Sequence, residues 1–367
     1  MTPLPIRPTV HVVAVVLLAG LSWSCPATSS ESLTVASWGG SYDRACQKAY
    51  HEPFTAETGT RIRLESYNGG LAQVRAQVEI GKVYWDLIDL ETADVVRGCD
   101  EGLLEPLSSA DLLPAPDGTP AAEDFFPGML TECGVGMLFY STVYAYNSKH
   151  LPGPKPTTIR DFFDLEQFPG RRGMRRSPLV NLEFALMADG VSVDQVYTTL
   201  NTPEGVNRAF RKLDTIKDQI IWWEAGAQPP QMLADGEVVM STAYNGRIFN
   251  AQVLENQPFV IVWDGQVLDR GILGIVAGTP KLEAARKFLA FATRTESLAA
   301  VGRYIAYSPA RRSGTALIST HLETGVDMQP HMPTSPQNVA RALHYDWEWW
   351  RDHGDETNER FSAWLAR

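Results

Sequence analysis

No apolar run in the chain reaches the length of a membrane-spanning helix, because a span needs about 20 consecutive apolar residues. Cysteine is scarce, with four in 367 residues, and no CxxC or Cys/His spacing suggests a metal site. The seven histidines, at 11, 51, 150, 321, 331, 344 and 353, contain no i,i+4 pair. No GxSxG, HExxH, P-loop or nucleotide-binding GxGxxG pattern follows a strand-like segment, and no Ser, Cys or His stands in a convincing nucleophile–base pair. Adjacent tyrosines, which a ferric-iron binder would use, are missing. Positive charge is also short: 32 basic against 43 acidic residues give a formal net charge of −11. That balance argues against nucleic acid or an anionic membrane surface and is compatible with a cationic ligand. These absences leave no expected catalytic residue, metal or cofactor.

The first strong positive signal is a leader. Arg7 supplies a positive n-region, Val10 to Leu21 a short apolar core, and Ser22, Ser24 and Ala27 small residues near a cleavage point. This reads as a secretory signal peptide over 1–27 and an exported, periplasmic chain. Leu21 to Cys25 also resembles a lipobox, which makes lipid anchoring at Cys25 the lesser alternative. Roughly 340 residues follow, enough for two lobes. Export permits disulfides. Cys99 ends a helical pattern and Cys133 precedes a strand, closing a loop of 34 residues, so these two are expected to pair. Cys46 is then free, on the apolar face of the first helix.

The mature chain opens with Leu33 to Gly40, LTVASWGG, a short β-branched run ending in a glycine turn beside Trp38. A helical pattern follows from Tyr42 to Phe54. Thr60–Ser66 and Trp85–Leu90 read as strands, each followed by helical spacing, so the first lobe is β-α-β-α-β-α with a mainly parallel sheet. Ligands of such sheets sit beyond the carboxyl ends of the strands. Three segments therefore converge: Ser37–Gly40, Tyr67–Gly70 and Asp89–Thr92. Gly39 and Gly40 can present bare N–H groups there. Glu91 is a candidate partner for a cation, or a first-turn acid favoured by the helix dipole. Of Asp86 and Asp89, strand alternation lets only one line the crevice.

Met137 to Asn147 reads as a strand long enough to pass between lobes, and Ile159 to Phe168 as a helix capped by Thr158. Thr202 and Pro203 start another helix cleanly. Val238 to Arg247 repeats the opening pattern of strand, aromatic, glycine turn and helix. Phe259–Trp263 and Gly271–Ala277 read as two further strands, and the tryptophan-rich segment from Leu343 to Trp364 as helix packed on the outside. Aromatic walls beside glycine turns, with isolated charges, suit capture of an amine by cation–π contact and ion pairing.

LTVASWGG, YWDLIDLETADVVRGCDEGLLEPL, ECGVGMLFYSTVYAYN, WWEAGAQPPQMLADGE, MSTAYNGRIFNA and ERFSAWLA together resemble bacterial extracellular solute-binding proteins, most nearly the spermidine/putrescine-binding type of ABC importers. The resemblance covers nearly the whole mature chain. It implies an α/β, periplasmic-binding-protein-like (type II) fold. Two lobes, each with a mainly parallel sheet flanked by helices, are joined by crossing hinge strands. Lobe one would take 28–145 and 271–310, lobe two 146–270, and the C-terminal helices 311–367. The implied partners are a small amine and an inner-membrane ABC permease, the implied state is monomeric, and no chemistry is expected.

By the same resemblance, Trp38, Tyr42, Tyr244 and Tyr307 belong to the ligand site; Gly39 and Asn245, in the turns beside them, are further candidates. The acids that would hold ammonium ends are only partly present: the matching positions are Pro178, Asn181 and Gly271. Glu91, Asp269, Glu183 and Glu224 remain as candidate anions. Arg175, Arg176, Arg247 and Arg270 gather near the same strand ends, and an arginine can hold a carboxylate bidentately. The expectation is therefore a polyamine or related amine. The alternative is a zwitterionic or carboxylated amine held by Arg247 or Arg270, and a secreted hydrolase stands well behind both.

Overall fold

The computed structural model describes residues 1, 2, 4, 5 and 32–367. Apart from those first four positions, the expected leader and Cys25 lie outside the described residues. Ten strands follow Glu31: β1 (Ser32–Ser37), β2 (Arg61–Ser66), β3 (Leu87–Glu91), β4 (Val135–Asn147) and β5 (Arg172–Arg175), then β6 (Ile220–Trp223), β7 (Met240–Tyr244), β8 (Phe259–Ile275), β9 (Ser308–Pro309) and β10 (Leu343–His344). They form one mixed sheet in the order β2-β1-β3-β8-β4-β7-β5-β6, with β9 added to β4 and β10 to β8.

β1 runs parallel to β2 and β3, and β5 parallel to β6 and β7. The two long strands β4 and β8 are antiparallel to each other, and they join the two halves. Central β1 is buried on both faces through Leu33, Val35 and Ala36, as strands covered by helices on both sides must be. Edge strand β2 alternates instead and turns Arg61, Arg63 and Glu65 outward, charges that discourage pairing with another chain.

Several expectations shift. Phe259–Trp263 and Gly271–Ala277 are not separate strands but parts of the 17-residue β8. Its pairing with β4 slips between Thr142 and Tyr144, where Gly265 takes a left-handed φ of 72°. The expected boundaries at 145/146 and 270/271 therefore fall inside β4 and β8. The first helix is interrupted: Gly40–Cys46 and Glu52–Thr58 flank a π-helical turn, Gln47–His51.

The helix expected to Phe168 stops at Phe162. The fully buried Arg172 donates to the carbonyls of Phe162 (2.8 Å), Asp164 (3.1 Å), Phe168 (2.6 Å) and Gly170 (2.7 Å). The carbonyls of this turn find their donors in one side chain rather than in a continued helix. Thr202 caps Pro203–Asp214 as its sequence suggests, accepting from Gly205 N at 3.0 Å.

Cys99 and Cys133 are bonded, with Cα atoms 5.6 Å apart, and Cys46 is free and buried. The C-terminal helix Trp347–Leu365 sinks Trp349, Trp350, Phe361 and Trp364 into the core that also holds Phe210 and Leu213. Arg97 of the helix Thr92–Asp100 meets Asp355 at 2.7 Å, so this last helix touches both halves.

Candidate functional site

Where the strand ends of the two halves face each other, about 400 Å³ of empty space opens between Trp38, Tyr42, Asp89, Glu91, Tyr140, Tyr244, Arg247 and Tyr307, with Leu90, Leu138 and Gly271 completing the wall. One side is built by the β1 turn. Gly39 has φ 69°, and a Cβ there would lie 2.9 Å from Ser66 Oγ. Asp43 then accepts from Gly39 N (3.0 Å) and Ser37 Oγ (2.7 Å), which fixes the start of the helix. That start carries Tyr42 into the cavity. The indole of Trp38 leans on Tyr67, with ring centroids 5.0 Å apart.

Asp89 sits at the centre of this side and is 3% exposed. The Tyr42 hydroxyl donates to its Oδ2, and the Tyr67 hydroxyl donates to its main-chain carbonyl. Oδ1 has no partner. Burial pushes the Asp89 carboxyl up to about 7, against the opposing pull of the Tyr42 hydroxyl and then of the Trp38 indole N–H. Its neighbour in sequence, Asp86, faces the other way, holding Lys281 (2.9 Å), Thr279 (2.6 Å) and Thr34 N (2.8 Å). Strand alternation separates the two carboxylates into a structural one and a cavity one.

The opposite side comes from β7 and the helix Asn245–Leu254. Tyr244 ends the strand, and the helix begins at once, so the supposed glycine turn is already its first turn. Gly246 is needed there because a Cβ would stand 2.6 Å from the Tyr307 ring and 2.7 Å from Ile305. Arg247 is 4% exposed and reaches across the cleft. Its Nη2 donates to Trp38 O at 2.8 Å and its Nη1 to Gly39 O at 3.0 Å, while Nε has no partner. These bonds go to carbonyls, so no carboxylate neutralises the buried guanidinium by direct contact. Tyr140 stands 5.5 Å from Tyr244 and 6.2 Å from Tyr307 between ring centroids, and Tyr42 stands 6.0 Å from Tyr307. Four tyrosines thus ring the space.

Six of the ten expected site residues line this cavity: Trp38, Tyr42, Glu91, Tyr244, Arg247 and Tyr307. The other four do not. Gly39 turns the chain behind Trp38. Asn245 is fully buried and splices β4 to the loop before β9, accepting from Ser141 N (2.9 Å) and donating to Ala306 O (2.6 Å). Asp269 lies behind Tyr140, whose hydroxyl it accepts at 3.0 Å, and it also takes Arg270 N at 2.7 Å. Burial first, and then the nearby Glu91 charge, push Asp269 up to about 7. Arg270 is on the other face of β8, packed so close to Gly128 that a Cβ there would overlap its guanidinium.

The lesser candidates also lie off the cavity. Glu183 is buried under Trp350 Nε1 (2.6 Å) and Tyr197 OH (3.0 Å), and Glu224 pairs with Arg176 at the surface (3.1 Å). Glu91 lines the cavity but is already paired, with Arg175 Nη1 at 2.8 Å. Burial works against the Arg175 charge, but the Tyr244 and Glu91 oxygens outweigh it and hold the guanidinium above its ordinary value.

Tyr140 lines the cavity although no motif pointed to it, and Asp89 proves to be the member of the Asp86/Asp89 pair that faces the crevice. Their signal was the period-two alternation of DLIDL and of Leu138-Phe139-Tyr140, which turns Asp89, Leu138 and Tyr140 to one face.

A family model described as bacterial extracellular solute-binding protein matches residues 49–334. The chain belongs to that family. This solute-binding protein is 44% identical over 358 residues to a gamma-aminobutyric acid-binding protein of Pseudomonas aeruginosa, with 97% of each chain covered. Its fold is shared by MotA of A. tumefaciens B6, solved with glucopine: TM-score 0.82, 30% identity, 91% of this chain and 99% of that one covered. A GABA receptor structure matches with TM-score 0.76 at 30% identity, over 92% and 98% of the two chains. The solute-binding protein thus has the periplasmic-binding-protein-like α/β fold expected from its sequence.

Proposed function

We propose that this protein is the substrate-binding component of an ABC importer for a short zwitterionic ω-amino acid of the γ-aminobutyrate class. It would capture the ligand in the periplasm and deliver it to an inner-membrane permease. The observation that carries this reading is a buried cation and a buried ionisable carboxyl on one tyrosine-lined cavity. Arg247 is a buried cation without a carboxylate partner, and Asp89 a buried carboxyl with one free oxygen. An uncompensated buried charge is unfavourable; a ligand carboxylate would compensate Arg247, and its ammonium would hold Asp89 in the ionised form. The tyrosines would cover the methylene chain and offer ring faces to the ammonium.

A polyamine fits this pattern less well. It brings a second cation and no carboxylate, and an ammonium about 4 Å from Arg247 would cost roughly 4 kcal/mol at an effective dielectric constant near 20. The similarity to proteins described as binding gamma-aminobutyric acid supports the zwitterion over the plain amine.

Thermal unfolding of the mature protein with γ-aminobutyrate, butyrate, putrescine and spermidine tests the proposal. A ligand at 100 times its Kd stabilises by about 2.7 kcal/mol. γ-Aminobutyrate is expected to raise Tm, and the three others, each lacking one of the two charges, to leave it nearly unchanged. A shift with putrescine and none with γ-aminobutyrate would overturn the reading.

A further inference from the structure

Next to the tyrosine-lined cavity lies a second, larger space of about 1020 Å³. Its walls are polar, including Asp94, Arg97, Arg176 and Glu224, and they include the buried Tyr345, whose hydroxyl has no partner. Glu91 is the residue that borders both spaces. It is held by Arg175 at 2.8 Å, with both side chains nearly buried, at 12% and 15% exposure. Arg175 also donates to Asn68 O at 3.4 Å. Gly69 makes room for this arrangement: a Cβ at that position would lie 3.3 Å from the Trp38 ring and 3.4 Å from Arg175 Nη2. Trp38, Gly69, Arg175 and Glu91 thus form a partition between a small amphipathic space and a large polar one.

We propose that the Arg175–Glu91 ion pair is the end wall of the ligand cavity and sets the length of the ω-amino acid that fits. This inference rests on the zwitterion reading above. With a ligand carboxylate at Arg247, a short chain places its ammonium beside Asp89 and stops at the wall. A longer chain would have to push its ammonium towards Glu91, where the Arg175 guanidinium already stands, so repulsion and lost volume exclude it. Removing the Arg175 head reverses both terms. The two spaces join, and Glu91 becomes a nearly buried carboxylate without a cation, which a longer ligand's ammonium can reach and a shorter one cannot.

Calorimetric titration of a length series tests the wall: β-alanine, γ-aminobutyrate, δ-aminovalerate and ε-aminocaproate on the wild type, Arg175→Met and the double variant Arg175→Met/Glu91→Gln. In the wild type, affinity should fall steeply beyond the preferred length. In Arg175→Met the ratio of ε-aminocaproate to γ-aminobutyrate affinity should rise by about tenfold or more. The double variant keeps the enlarged space without the anion, so most of that gain should disappear.

Arg175→Gln, which keeps a polar head, is the second variant should Arg175→Met fail to fold, and the same direction is expected. Equal weakening of every ligand in the Arg175 variants would make the pair a simple latch between the halves and overturn the proposal. Failure of the wild type to bind any member would instead remove the zwitterion reading itself.

Discussion

Protonation of Asp89 should govern ligand affinity. Burial lifts its carboxyl to about 7 from an ordinary 3.8. Three pKa units correspond to about 4 kcal/mol of preference for the neutral form, at 1.36 kcal/mol per unit. In the ligand-free protein, the folded chain keeps a proton between about pH 4 and pH 7 that the unfolded chain has released. The stability contributed by this group is therefore fully present below the unfolded value, near 4, and is lost as pH rises through about 7.

An ammonium ligand selects the ionised form, so affinity must follow the opposite course. It should rise up to tenfold per pH unit below about 7 and level off above, or about fiftyfold between pH 5 and pH 7, equivalent to about 2.3 kcal/mol. Calorimetric titration with γ-aminobutyrate from about pH 5 to pH 8, in two buffers of different ionisation enthalpy, measures both the slope and the proton released. Asp89→Asn should bind weakly and without the slope. Asp269→Asn is the control: that carboxyl is also raised to about 7, but its oxygens face Tyr140, Thr92 and the main chain, not the cavity. Its loss should leave the slope in place. A flat wild-type profile, or a slope that survives in Asp89→Asn, would refute the assignment.

Arg247→Met removes the cavity's buried cation together with the two bonds to Trp38 O and Gly39 O. Truncating one partner of a buried charge pair costs about 2–5 kcal/mol, so γ-aminobutyrate should weaken by roughly 30- to several thousand-fold. Butylamine, which has no carboxylate, should be affected far less; calorimetry on both ligands checks the difference. Cys99→Ser/Cys133→Ser opens a loop of 34 residues, for which chain entropy gives about 4 kcal/mol of lost stability. Denaturant unfolding followed by circular dichroism should report that loss. Ligand affinity should persist under native conditions, because neither cysteine lines the cavity.

The parallel β-α units and the Thr202–Pro203 helix start were legible because local signals carry them, apolar period, capping chemistry and turn residues, and the disulfide because export and the few cysteines leave few pairings. The strand at Phe259–Trp263 and that at Gly271–Ala277 looked separate because Asp264 and Gly265 resemble a turn. Pairing with β4 on both sides of the slip makes them one strand. Arg172 shows the same limit from another side. Nothing local reveals that its guanidinium will collect four carbonyls and stop a helix ten residues earlier. The site divides in the same way: Trp38, Tyr42 and Tyr244 belong to recurring motifs, whereas Asn245 from such a motif proves to be a splice, and Asp89 and Tyr140 come from plain alternation.

By itself the sequence determined the family, most of the order of elements and the aromatic character of the cleft, which rest on residue types at short separations, and the pairing of Cys99 with Cys133, which rests on the scarcity of cysteine. The charge presented to the ligand was decided only by tertiary structure. Arg175, Arg176, Arg247 and Arg270 are equal candidates along the chain. Long-range packing then sends Arg175 to Glu91, Arg176 to Glu224 and Arg270 to Gly128, and carries Arg247 across the cleft to the Trp38 and Gly39 carbonyls. Which charges remain uncompensated depends on partners dozens to hundreds of residues away, and no local pattern encodes that.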